Sequence, residues 1–136
     1  MAKIKSKGFF CCDNFILDKS NKASLIGIFG KISLETVPGK LLKLVLVSMF
    51  EFEFSGDTTE EEKIKIDFKL FDPNGKPVAV KIPSLEIKAN PLSPTAAIAL
   101  ELGNVEFTVE GKHTFKVYVS GKEFNSLAIN VNKKNI

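Results

Sequence analysis

The sequence contains no arginine, no glutamine and no tryptophan, and only one histidine, one tyrosine and two cysteines. Each shortage removes a class of function. Sequence-specific readers of DNA rely on arginine for paired contacts to guanine and phosphate. Here all nineteen basic residues are lysine, which argues against a specific nucleic-acid partner. The formal net charge of +3 is small, and acidic and basic residues are interleaved. Lys3, Lys5 and Lys7 near one end, and Lys133 and Lys134 near the other, read as solvated ends that keep the chain soluble. No stretch approaches the ~18 apolar residues of a membrane-spanning helix. The lysine-rich start runs into Asp13 and Asn14 before any apolar segment of signal length. The expectation is a cytoplasmic protein without membrane insertion.

With those classes set aside, the chain reads as one domain over residues 1–136. At this length a domain buries roughly two-thirds of its unfolded surface, so one core can hold it without disulfides or metal. Twelve phenylalanines are available for that core. Alternation of period two dominates. Residues 63–70 place Ile64, Ile66, Phe68 and Leu70 on one face and charged residues on the other, the pattern of a half-buried strand. Asp72, Pro73, Asn74 and Gly75 then supply turn chemistry, and Val78, Val80 and Ile82 are expected on the returning strand, with Pro83 interrupting before Leu85 and Ile87. Earlier, Leu42, Leu44, Leu46, Phe50, Phe52 and Phe54 line one face of a long strand. Two more strands are expected near residues 8–17 and 23–34, separated by the turn-rich 18–22. Residues 94–102 carry a helix signal in Ser93 and Pro94, but Ile98, Leu100 and Leu102 alternate, which favours strand. Toward the end Val105, Phe107 and Val109, then Phe115, Val117 and Val119, then Leu127, Ile129 and Val131 complete the set. Seven to nine short strands at this spacing make an all-β antiparallel sandwich.

Two stretches carry a family resemblance. Residues 111–122 open on Gly111, alternate Phe115, Val117 and Val119, and end in the turn at Ser120 and Gly121. This resembles the penultimate hairpin of many bacterial immunoglobulin-like domains, and it implies an immunoglobulin-like β-sandwich. Cys12, Asp13 and Asn14, followed by residues 24–29 and Pro38, are similar to the opening of a family of small bacterial proteins of unknown function. His113 stands where such sandwiches usually carry a tyrosine bonded to nearby backbone. It is expected to make an equivalent backbone hydrogen bond.

No catalytic constellation emerges. His113 is the only candidate base for a nucleophile, and nothing in the spacing joins it to Cys12 and Asp13. Adjacent cysteines on a strand point to opposite faces, so Cys11 and Cys12 read as packing, one on each side. Glu51 and Glu53 are expected to face water beside Lys65 or Lys69 as cross-strand partners. No catalytic, cofactor-binding or metal-ligating residue is assigned, and no cofactor or small-molecule ligand is inferred. The remaining signal is the second face of the long strand, Leu41, Val45, Val47 and Met49, apolar where its neighbour is solvated. Something must cover it: residues 83–95, the N-terminal segment, or a partner. The leading expectation is a non-enzymatic protein-binding or assembly module with a protein partner or self-association, in which Val45→Glu or Val47→Glu disturbs association more than folding. The alternatives are a calcium- or lipid-surface-binding module of the C2 kind, using Asp13, Asp18, Asp57, Asp72 and Asn74, and a viral or phage structural protein.

Overall fold

The computed structural model describes residues 2–20, 22–56 and 60–134. Among them run nine strands and no helix: β1 (Lys3–Leu17), β2 (Ala23–Phe29), β3 (Lys31–Leu34), β4 (Gly39–Glu53), β5 (Glu62–Phe71), β6 (Leu85–Ala89), β7 (Thr95–Phe107), β8 (Gly111–Val119) and β9 (Lys122–Lys133). They form a four-stranded sheet in the order β2-β1-β4-β7 and a five-stranded sheet in the order β3-β9-β8-β5-β6. Every pairing is antiparallel except β3 with β9, which is parallel. Three aromatic contacts bridge the sheets: Phe9 to Phe68 at 6.1 Å, Phe50 to Phe124 at 5.7 Å, and Phe107 edge-on to His113 at 5.0 Å between ring centres. The expected sandwich is therefore present, with one continuous core between its sheets. Each fully buried phenylalanine or aliphatic side chain contributes roughly 1.5–3 kcal/mol relative to exposure.

Turns close the hairpins as their residue types require. Ser120 and Gly121 both have positive φ, the signature of the tight turn that matches strand twist. The turns that begin at Asp18 and Asp72 share one design. In each, an aspartate amide donates to the carbonyl four residues on, and its Oδ1 accepts from the amides two and four residues on. Asp18 and Asp72 are thus turn-forming groups.

Simple alternation fails at several places, among them a register shift between β8 and β9 beside Val117 and Tyr118, and three of the failures have a clear local cause. A bulge between Ser6 and Gly8 passes the core-facing set of β1 from Ile4 to Phe9 and Cys11. Between β4 and β7 the register runs from Leu41↔Val105 to Lys43↔Gly103 without a shift, yet the core face passes from Leu41, Val105 and Phe107 to Leu44, Leu46, Ile98 and Leu102. Asn104, with φ of 51°, lies at this crease. Leu42 is consequently thrown out to solvent at 76% exposure, although its spacing had placed it on the core face. The third failure is at 77–84. Val78, Val80 and Ile82 pack against the core but form no ladder; Val78 N donates to Leu70 O, and Val80 N donates to Val78 O two residues back. Pro77 and Pro83 bracket the segment, so the returning strand is β6 instead, paired with residues 62–66. The expected strand at 23–34 likewise divides at Gly30 into β2 and β3, one in each sheet. Residues 94–102 lie in β7 (Thr95–Phe107), a strand.

Candidate interaction surface

The outer face of the four-stranded sheet carries a second, smaller apolar cluster. Cys12 and Val47 are fully buried there and Val45 nearly so, with Phe15, Leu25 and Met49 packed over them. Val45, Val47 and Met49 thus share a face as their spacing implies, whereas Leu41 lies beyond the crease and packs against the main core. The cover comes from β1 and β2, not from residues 83–95. Since Val47 has no exposed surface, glutamate there would bury a charge, and the expected primary effect moves from association to folding.

Around this cluster the face is zipped by ion pairs between neighbouring strands. Lys5 meets Glu53 at 2.6 Å, Lys7 meets Glu51 at 3.1 Å, and Lys43 meets Glu101 at 3.5 Å. The hydrogen bond with Glu53 raises the Lys5 pKa, and the same bond lowers that of Glu53. The partners of Glu51 and Glu53 are therefore on β1 rather than Lys65 or Lys69. Lys65 turns to Asp67 at 3.8 Å.

Beyond Cys12↔Val45, β1 leaves β4 and pairs only with β2. The end of β1 from Asp13 onward and β2 thereby form a two-stranded arm, tied back to the sheet where Lys43 Nζ donates to Asn14 Oδ1 at 2.8 Å. Within it Ile16, Leu17, Ile26 and Ile28 are 51%, 56%, 48% and 56% exposed. Ile16 and Leu17 are consecutive, so the arm is apolar on both faces. Its outer strand β2 is also a sheet edge, with an unpaired row of amides and carbonyls. Natural edges are usually guarded by charge, proline or shortness. Here β3 has four residues, β6 carries Glu86 and Lys88, and β7 carries Glu101 and Glu106. β2, Ala-Ser-Leu-Ile-Gly-Ile-Phe, has neither charge nor proline; its one irregularity is Gly27, at φ of 70° against the Asp13 carboxylate. Beside the arm, Asn14, Phe15, Lys43, Val45, Ala99 and Glu101 enclose a groove of about 220 Å³.

The groups with chemical potential are held apart. Cys11 lies in the main core and Cys12 in the outer cluster, both free and buried, one on each side of the sheet as adjacency dictates. Burial pushes the Cys11 thiol up to about 12 and also raises that of Cys12, where Asp13 adds to it. Neither is poised as a thiolate. His113 points into the core from β8, on the opposite sheet from Cys12. Its Nδ1 lies 3.1 Å from Gly111 O, the backbone bond expected of it. A carbonyl only accepts, so the proton sits on Nδ1, and Nε2 is buried without a partner. Among the described residues no three of His, Cys, Asp and Glu gather as a metal would need. Asp57, one of the calcium candidates, lies outside the described residues.

Residues 7–132 match the model of a family described as one of unknown function (DUF6941). The chain belongs to that family. No curated protein matches it. Among solved structures, this DUF6941 member is similar to the alkylpurine DNA glycosylase AlkC of Pseudomonas fluorescens bound to DNA containing an abasic-site analogue. That likeness has 17% identity and a TM-score of 0.47, and spans 76% of this chain but only 28% of the glycosylase chain. It is also similar to an immunoglobulin-like protein of Pseudomonas aeruginosa, at 13% identity and a TM-score of 0.41, over 96% of this chain and 97% of that one. No helix among the described residues is long and apolar enough to cross a membrane. The arm residues of this family member escaped the sequence reading. Their signal was the run from Ala23 to Gly30, free of charge and directly followed by Lys31.

Proposed function

We propose that this chain is a non-enzymatic association module of the cytoplasm whose partner is a second copy of itself, engaged through the β1–β2 arm. One observation carries the reading: the arm exposes Ile16, Leu17, Ile26 and Ile28 on both faces and ends the sheet in a strand without charge or proline. Exposed apolar edges of this kind are normally suppressed in monomers. A two-fold arrangement suits it because β2 brings no like charges together, and each copy offers beside its own arm a groove floored by Phe15, Val45 and Ala99. Both free thiols are buried, in keeping with a reducing compartment.

The test is the mass of the full chain by light scattering across a concentration series, for the wild type and for Leu17→Lys with Ile28→Lys. These side chains are more than half exposed, so the double variant should keep a native amide spectrum. The wild type is expected to reach dimer mass and the variant to remain monomeric. A wild type that stays monomeric at every concentration overturns the reading, as does a variant that dimerises equally well.

A further inference from the structure

We infer that the corner where β3 meets β9 is a binding site for a small soluble phosphate compound, gripped through its phosphate oxygens. The parallel pairing of these strands sets Lys31 opposite Asn130 and Ser33 opposite Asn132, and β8 adds Lys112 opposite Asn130. Ile32, Leu34, Ile129 and Val131 take the buried positions, so the polar residues between them face outward. There Lys31, Ser33, Glu110, Asn132, Lys133 and Lys134 line an open groove of about 570 Å³. Ammonium, hydroxyl and amide groups together are what phosphate oxygens accept from.

The local charge balance at this corner favours an anion. On the other sheet Lys5, Lys7 and Lys43 each face a glutamate. Here, among the described residues, none of Lys31, Lys112, Lys133 and Lys134 has an ion-pair partner, and the single carboxylate, Glu110, accepts the Lys133 backbone amide at 2.6 Å. The groove therefore holds an excess of positive charge with its one acid already engaged. Lys133 and Lys134, which the sequence presents as a solvated end, are joined by the fold to a lysine a hundred positions earlier. A concave, open and largely polar corner suits a small solute better than a bilayer, which needs a protruding apolar contact.

The experiment is an amide chemical-shift titration of the full chain with inorganic pyrophosphate, against sodium chloride at matched ionic strength. Saturable shifts are expected at residues 31–33, 110–112 and 130–134. Lys31→Gln with Lys133→Gln should weaken binding by about five- to tenfold, the scale of two exposed charge contacts, with the spectrum elsewhere unchanged. Shifts reproduced by chloride, or spread over lysines throughout the surface, overturn the proposal. So does binding to vesicles containing phosphatidic acid in the absence of any response to pyrophosphate.

Discussion

At the level of single side chains, Cys11 and Cys12 put neighbouring sulfurs on opposite sides of one sheet, and burial weakens both as acids. The consequence for Cys11 is a pH dependence with a definite sign. In the unfolded chain a thiol ionises near 8.5. In the folded protein the Cys11 pKa is about 12. Between those values the native state holds the proton that the unfolded state has lost, so stability falls as pH rises, by about 1.4 kcal/mol per pH unit at most. Below pH 8 the contribution is complete and flat. Urea unfolding at pH 8 and pH 10 should therefore show a steeper loss for the wild type than for Cys11→Ala, which removes this thiol and leaves the lysines and Tyr118 to titrate as before. Parallel losses in the two proteins would contradict the burial. A thiol reagent at neutral pH should label Cys12 slowly, limited by opening of the outer cluster.

At the scale of elements, the arm rests on Gly27. A methyl group added there would collide with the Asp13 carboxylate, and φ of 70° is strained for any side chain. Gly27→Ala is expected to destabilise by about 1–3 kcal/mol, combining the left-handed penalty with the clash. Because a hairpin paired on one side only is marginal by itself, the loss should appear first as faster amide exchange in residues 14–28 while β4 and β8 stay protected. Uniform acceleration throughout the sandwich would show instead that the arm is integral to the core. This element also marks where the sequence stops being readable. Residues 63–70 and 111–122 were legible because their alternation is unbroken and their turns carry their own chemistry. The bulge at Ser6/Gly8, the crease at Leu42 and Asn104, and the split at Gly30 were not. Each reverses which parity faces the core, and a period-two pattern cannot report a reversal it is itself used to define. Hence Leu42 was placed inside and Leu41 outside, the opposite of the structure, while Val45, Val47 and Met49, on the far side of the crease, were grouped correctly.

For the molecule as a whole, β9 is structurally central. β9, the last strand, lies inside its sheet between β8 and β3, and contributes the fully buried Ile129 and Val131. Among the described residues β3 has β9 as its only ladder partner, joining Lys31↔Asn130 through Leu34↔Lys133, residues far apart in the sequence. Such pairing can be made only after a large loop is closed, a cost in chain entropy that the neighbouring β8–β9 hairpin does not carry. Ending the chain after Gly121 would remove β9, uncover Phe115 and Val117, and leave β3 without a ladder. Losing two buried aliphatics alone costs roughly 3–6 kcal/mol, comparable to the total stability of a domain of this kind. The truncated chain is therefore expected to lack a dispersed amide spectrum and a cooperative thermal transition. If it instead melts cooperatively, the four-stranded sheet with β5, β6 and β8 is sufficient by itself, and the parallel β3–β9 pair is an appendage rather than the closure of the fold.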